Sequence, residues 1–294
     1  MSGHVPVPDG RFGARQDQFI ALIGFAEASL DRAAFGNLML QVRARPVPRV
    51  DFLVEVPPKE AGAGEADALA MRDDPAANAA LTDALIGVYE RNALGRPSTA
   101  VLPYAQALSR FPAHLQQLDM ESNGKALRRD GTMSELATGP AVFGEPGTNG
   151  QHSFYQLLHQ GTDVIPLQFI AFRKNQSAFD PEFEGSTARR KLNANLAAQI
   201  VAFAQGKRDE NPNKSFPGGR PSTLLVADEL DPRSLGALLA HYENKVMFQG
   251  FAWNLNSFDQ EGVQLGKVLT KQVLAARGPS DPALAEFARI LGAL

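Results

Sequence analysis

Side chains that could carry acid–base chemistry fall in two neighbouring stretches of the sequence. In LQQLDMESNGK, at 115–125, apolar residues lead into Glu121 and a Ser-Asn-Gly turn. A strand over 115–120 would place the carboxylate where the strand ends, and partial desolvation there would raise its pKa toward the value of a general base. The competing interpretation is a solvated carboxylate without a catalytic role.

The second stretch, FGEPGTNGQHSFYQLLHQG at 143–161, combines a Gly-rich loop with a histidine. We predict a helix over 149–160 with His152 near its first turn, where the helix dipole favours the neutral imidazole and suits it to proton transfer. The alternative is a histidine that only caps its own helix. His159 follows at a spacing that differs from the i, i+3 or i, i+4 of a helical metal site, so we expect it to be a packing residue.

The Gly-rich loop could present backbone N–H groups to a phosphate at a helix N-terminus. It matches neither the P-loop nor the G-x-G-x-x-G fingerprint of dinucleotide-binding proteins, so a nucleotide-dependent enzyme is disfavoured. The sequence also contains no G-x-S-x-G elbow and no H-E-x-x-H motif, so the hydrolases that depend on them lack a starting residue.

A further candidate, Lys267, lies in FDQEGVQLGK at 258–267. Most lysines are surface residues. The stretch directly follows WNLNSFDQ at 253–260, an aromatic and amide-rich loop with the only tryptophan of the chain. Loops of this kind often carry function, so Lys267 remains a candidate.

Composition narrows the class of protein. The chain has 294 residues, 29 Lys and Arg against 32 Asp and Glu, and a formal charge of -3, so no broad cationic surface for nucleic acid is indicated. The absence of cysteine excludes disulfides, thiolate metal sites and a Cys nucleophile. No apolar run approaches the ~20 residues of a membrane helix, and the first residues lack the apolar core of a signal peptide. We therefore expect a cytoplasmic protein with no membrane or nucleic-acid partner.

Helical patterns and short apolar runs alternate along most of the chain. The runs predict strands over 50–56, 98–104, 115–120, 141–143, 164–172 and 223–227. Alternation of this kind predicts an α/β fold, a doubly wound parallel sheet of flavodoxin-like type flanked by helices, with further helices at the C-terminus. Ligands bind such sheets at the carboxyl ends of the strands, where we expect both stretches to lie. The Pro, Ala and Gly-rich run over 57–80 is interpreted as a linker or an abnormal junction.

Three motifs together resemble the glucose-6-phosphate isomerase family: MESNGK at 120–125, FGEPGTNGQHSFYQLLHQG at 143–161 and FDQEGVQLGK at 258–267. The similarity extends from about residue 67 to near the C-terminus. It implies a sugar-isomerase (SIS) domain over 65–257, a C-terminal helical segment over 258–294 and an N-terminal segment over 1–64, with a helix at 16–35 and a strand, that has no counterpart in the family.

The resemblance also implies a reaction, the interconversion of glucose 6-phosphate and fructose 6-phosphate, without metal or cofactor. Glu121 would move a proton between C1 and C2 through a cis-enediol. His152, reaching in from the partner subunit of a homodimer, would help to open the sugar ring. Lys267 would assist at the ring oxygen, while Gln117 and Gln260 would hold the substrate.

The sequence also departs from the family. Members are nearly twice as long, and we find no counterpart of the first SIS domain, its Ser/Thr-rich phosphate loops or the Gly-Gly-Arg-Phe-Ser segment. Gln264 stands where members usually have Glu. Residues 1–64 are interpreted as a replaced N-terminus or the product of a disrupted reading frame. We expect an isomerase with weak activity alone; the alternatives are a sugar-phosphate-binding SIS module without turnover and a non-functional fragment.

Overall fold

The computed structural model describes residues 52–55 and 78–294 of the chain. The described residues form two compact units, of which the first ends at Ser257 and the second comprises Phe258–Leu294. The helix predicted over 16–35 and most of the Pro, Ala and Gly-rich run lie outside the described residues.

The strands of the described chain form one large sheet and one small hairpin. Their bounds are β1 (Phe52–Glu55), β2 (Ser98–Pro103), β3 (Ala141–Phe143), β4 (Leu167–Phe172), β5 (Glu182–Phe183), β6 (Ser186–Thr187) and β7 (Ser222–Ala227). Five strands pair in parallel in the order β1-β7-β4-β2-β3, and β5 pairs with β6 antiparallel. The predicted parallel sheet is confirmed.

Helices connect these strands and follow the last of them. Their bounds are α1 (Ala79–Val88), α2 (Phe111–Leu115), α3 (Gly147–Gly150), α4 (Tyr155–Gln160), α5 (Ala188–Gln205), α6 (Pro232–Ala252), α7 (Gln264–Val273) and α8 (Pro282–Ile290). Two of them continue as π-helical turns, α1 over Tyr89–Ala93 and α2 over Gln116–Glu121. Short 3₁₀ turns occur at Gln106–Leu108 and Pro212–Lys214. None of the helices among these residues is long and apolar enough to cross a membrane.

Helices cover both faces of the sheet. On one face Val101 of β2 packs with residues of α2 and α6, and on the other Leu102 packs with residues of α4 and α5. Successive strand residues point to opposite faces, which is why β4 is buried along its whole length. The doubly wound arrangement predicted from the sequence is therefore confirmed.

The Asp-Pro pairs at 231–232 and 281–282 predict two helix starts, each with an N-cap and a proline at the first helical position, and the structure confirms both. The Asp231 side chain accepts a hydrogen bond from the Ser234 backbone N–H, and the Ser234 hydroxyl closes the capping box at the start of α6. Asp281 caps α8 in the second unit in the same way, through the N–H of Leu284. The sequence pattern predicts helices over 260–276 and 280–291, and α7 and α8 are both shorter than these spans.

The predicted strand over 115–120 is wrong, because these residues continue helix α2. Pro112 stands in the first turn of α2, and the π-helical turn follows Leu115 without a break. Leu115 and Leu118, three residues apart, both pack on the core, which is helical rather than strand spacing. A short apolar run fits either element, and here its packing against the sheet selects the helix.

Candidate functional site

Glu121 is the last residue of the π-helical turn over Gln116–Glu121. Its side chain is exposed, as is that of Gln117 one turn earlier, whereas Asp119 between them is only 7% exposed. The turn therefore presents Gln117 and Glu121 to solvent and inserts Asp119 into the interior. The desolvation that the sequence suggested for Glu121 is wrong, since it falls on Asp119 instead.

Glu121 lies at the amino edge of the sheet rather than at its carboxyl edge. The chain after it folds against the residues that precede β3: the Thr138 hydroxyl donates to the Lys125 carbonyl over 2.8 Å, and a Cβ on Gly139 would lie 2.9 Å from the Asn123 carbonyl oxygen. Helix α2 and its π turn run back across the sheet from the end of β2, as connections between parallel strands do. The expectation that this stretch ends at a carboxyl edge is therefore wrong.

A buried charge network underlies this edge. Asp83 lies 2.9 Å from the Lys245 ammonium and 3.1 Å from Nε2 of His241, and it accepts a hydrogen bond from Gln168. Burial would raise the pKa of Asp83, but the Lys245 charge and the contacts with His241 hold it at about 2. Burial raises the pKa of Asp119 to about 6, although the Lys245 charge and the hydrogen bond from Asn123 oppose the rise. The two carboxylates next to Lys245 thus differ widely in proton affinity.

His152 lies at the carboxyl edge, in a turn between α3 and α4, and its side chain is exposed. The single helix predicted over 149–160 is wrong, because residues 151–154 interrupt it with turns such as the His152 N–H to Asn149 carbonyl bond of 3.0 Å. A Cβ on Gly147 would fall 2.1 Å from the ring of Tyr104, the residue that follows β2. This close approach seats the loop at the end of the sheet where β2 and β3 finish.

His159 is a packing residue, as predicted. Its ring stacks on that of Phe203 with centroids 3.7 Å apart, and its Nε2 lies 3.1 Å from Oε1 of Gln199. Burial lowers the pKa of His159 below its usual value. The imidazole is therefore part of the interface between α4 and α5. Among residues 52–55 and 78–294, no three acidic or histidine side chains are grouped as a metal site requires.

Gln260 and Lys267 belong to the second unit. Gln260 precedes α7, Lys267 lies within it, and both side chains are exposed. The first unit thus brings Gln117 and Glu121 together on one helical turn and puts His152 at the opposite edge of the sheet.

Three buried polar residues near the candidates were not predicted from the sequence. Asp119 and Asn123 lie within or next to the MESNGK motif. The motif does not predict which side of a π turn is buried, and it does not predict the contact with α6. Arg220, in what looks like a plain turn, donates to the carbonyls of Asp163, His159 and Gly161 and ties the end of α4 to the start of β7. The one sequence signal for a structural role of Arg220 was its position, a charged residue directly between a Gly pair and a proline.

Comparison with known proteins settles the family. The family model for phosphoglucose isomerase matches residues 60–287. The chain belongs to the phosphoglucose isomerase family. It is 67% identical over 230 residues to the glucose-6-phosphate isomerase of Treponema denticola and 54% identical over 213 residues to that of Chlamydia pneumoniae.

Solved structures of related proteins agree with this phosphoglucose isomerase fold. The crystal structure of a glucose-6-phosphate isomerase from Chlamydia trachomatis matches 79% of the chain with a TM-score of 0.74 at 49% identity. A hypothetical protein from Thermus thermophilus matches 73% of the chain with a TM-score of 0.61 at 27% identity. The family-model match starts at residue 60, close to residue 67, where the motifs indicated that the similarity begins.

The chain spans less than half the length of these relatives. It covers 43% of the Treponema denticola protein, 40% of the Chlamydia pneumoniae protein and 44% of the crystallised Chlamydia trachomatis chain. In turn the relatives cover 78%, 72% and 79% of this chain.

Proposed function

We propose that this chain interconverts glucose 6-phosphate and fructose 6-phosphate, with Glu121 as the base that moves a proton between C1 and C2. The observation that carries the proposal is the π-helical turn that exposes Gln117 and Glu121 on a rigidly anchored element inside the matched region. Local π geometry is frequent at functional sites. An exposed carboxylate on a fixed backbone is free to meet a substrate and to take its proton.

The remaining roles follow the family pattern at matching positions. Gln117, one turn before Glu121, and Gln260 would hold the substrate. The positive charge of Lys267 would stabilise the ring oxygen as the sugar ring opens. His152 would transfer the proton at that oxygen. Aldose–ketose isomerisation of this kind needs proton transfer and charge stabilisation from side chains alone.

We further propose that the protein is a homodimer in which His152 acts on the partner's substrate. Glu121 and His152 lie at opposite edges of one parallel sheet, so one subunit does not bring them together within its first unit. A two-fold axis could bring the carboxyl edge of one subunit to the amino edge of the other. The sugar phosphate would be the small-molecule partner, and the cytoplasm is the proposed compartment.

A binding module without turnover is the second candidate function. It is favoured by the separation of Glu121 and His152 at opposite edges of the sheet, because the first unit alone does not bring these two side chains together. Such a module would keep Gln117 and Gln260 for sugar contacts without completing the reaction.

An assay coupled to oxidation of glucose 6-phosphate separates the two functions. We expect measurable conversion of fructose 6-phosphate and a fall on the order of 10² to 10⁴ in turnover for Glu121→Gln, since that is the usual contribution of a general base. Glu210→Gln, which alters an exposed carboxylate in the loop after α5, is the matched control. Unchanged turnover in Glu121→Gln contradicts the catalytic role. No turnover in the unaltered chain, with protection by fructose 6-phosphate in a thermal melt, favours the module.

A further inference from the structure

The Asn123 side chain is fully buried two residues after Glu121 and uses both ends of its amide. Its Nδ2 donates to Oδ1 of Asp119 over 3.2 Å and to the Val246 carbonyl of α6 over 3.0 Å, and its Oδ1 accepts from the Ser257 hydroxyl over 2.7 Å. The amide therefore joins the π-helical turn, helix α6 and the last residue of the first unit. Only a side chain with two donors and an acceptor can make all three bonds.

Close backbone approaches hold these three segments in one arrangement. A Cβ on Gly250 of α6 would lie 1.9 Å from the Ser257 hydroxyl and 3.1 Å from Oδ1 of Asn123. A Cβ on Gly124 would lie 2.2 Å from the Met120 carbonyl, with which the Gly124 N–H forms a 3.0 Å bond. The end of the π turn thus has no room to rotate without breaking the amide's bonds.

A second connection on the outer side repeats the link. The Lys125 ammonium donates to the Ser122 carbonyl and to the Asn256 carbonyl, each over 2.7 Å. The chain around Glu121 is consequently bound to residues 256–257 from inside through Asn123 and from outside through Lys125. In the sequence, Gln260 follows Ser257 by three residues.

We propose that Asn123 is a positioning residue for the Glu121 carboxylate, and that it does so by fixing the end of the π turn against Val246 and Ser257. This inference rests on the proposed role of Glu121 as the base and extends it to a residue that does not touch the substrate. The buried Asp119 orients the amide by accepting one of its donors, and Ser257 fixes its oxygen. A base that must shuttle a proton between two adjacent carbons needs this fixed placement.

Two substitutions break the amide's bonds in graded fashion. Asn123→Asp replaces the donor that faces both Asp119 and the Val246 carbonyl with a carboxylate oxygen, so three acceptors face one another. Ser257→Ala removes only the bond to Oδ1. Ser153→Ala, which alters an exposed hydroxyl outside this network, serves as the control.

Amide hydrogen exchange of the full chain gives a readout that does not depend on activity. We expect exchange at Gly124 and Lys125 to rise at least about tenfold in Asn123→Asp and less in Ser257→Ala, because the bonds to Met120 and Asn123 carbonyls open more often. Exchange at Phe169 and Ile170 of β4 should stay unchanged, which identifies a local effect. The Ser153→Ala control should match the unaltered chain.

Steady-state kinetics supply the second readout. Misplacement of the base should lower kcat on the order of 10²-fold in Asn123→Asp with little change in KM, whereas a purely structural role would lower only the folded fraction. Unaltered exchange at 124–125 together with unaltered kcat in Asn123→Asp overturns the inference. If Asn123→Asp does not fold, Ser257→Ala decides by the same two measurements. Failure of the proposed function appears separately, as normal turnover in Glu121→Gln while exchange still responds to Asn123→Asp.

Discussion

Two carboxylates on one π-helical turn meet opposite environments. Glu121 is exposed and Asp119 is buried beside Lys245 and Asn123. A turn with i→i+5 bonds lets residues two positions apart face solvent and core, and the same turn thereby places one carboxylate in solvent and the other in the interior.

Asp119 should make the stability of the protein depend on pH. Burial raises its pKa from 3.8 to about 6, so the folded state binds this proton more tightly than the unfolded chain does. Its contribution to the free energy of unfolding is therefore largest below pH 4 and is lost as pH rises to about 6, a change of about 3 kcal/mol. Asp83, with its pKa held at about 2, stays ionised across this range.

Urea unfolding at about pH 4.5 and about pH 7.5 tests this contribution, because the two pH values lie on either side of the raised pKa of Asp119. The unfolding free energy of Asp119→Asn should gain on that of the unaltered protein as pH rises between the two conditions. Asp163→Asn, at an exposed carboxylate, should follow the unaltered protein at both. Parallel pH profiles for Asp119→Asn and the unaltered protein would contradict the assigned role of burial.

Sequence motifs nominate the candidate residues Glu121 and His152, but they do not predict the surroundings of these residues. The motifs single out these residues because a motif is defined by residue types and their order, which the sequence gives directly. The partners of Asn123 lie at Val246 and Ser257, more than a hundred positions away, and no local pattern predicts such contacts. The burial of Asp119 depended on recognising a helical turn where a strand was expected.

At the scale of elements, long periodic segments and capped helix starts were predicted correctly. Strands β2, β4 and β7 are apolar runs bounded by turns, and the Asp-Pro pairs mark α6 and α8. The segment 115–121 and the helix expected over 149–160 were predicted wrongly. In the first case, a six-residue apolar run carries too little periodicity to distinguish a strand from a helix. Their final form depends on tertiary packing.

The loop that carries His152 depends on Gly147. A Cβ there would lie 2.1 to 2.4 Å from three atoms of the Tyr104 ring, which is itself 1% exposed and cannot move aside. Gly147→Ala should therefore lower the free energy of unfolding by about 1 to 3 kcal/mol, the usual cost of overpacking. Thermal or urea unfolding measures the loss. Gly262→Ala, with nothing within 4 Å of the added Cβ, should cost little, and an equal loss in both variants would contradict the packing argument.

At the scale of the whole molecule, the parallel sheet carries candidate residues at two edges rather than at one. Alternating strands and helices predicted the sheet, but the strand order β1-β7-β4-β2-β3 comes from long-range pairing that no local pattern contains. The general rule that ligands bind at carboxyl edges placed His152 correctly and Glu121 at the wrong edge. A site that needs both residues is therefore better served by two subunits than by one.

Mixing two inactive variants tests this arrangement directly. If each site takes Glu121 from one subunit and His152 from the other, random dimers of Glu121→Gln and His152→Gln chains restore about a quarter of the sites, because half of the dimers are mixed and each holds one intact site. Activity should rise to about a quarter of that of the unaltered chain after unfolding and joint refolding. Glu121→Gln mixed with Gln117→Ala should restore none, since both residues lie on one turn of one subunit. Equal activity in the two mixtures, or no gain in the first, would place Glu121 and His152 in different sites or in one subunit.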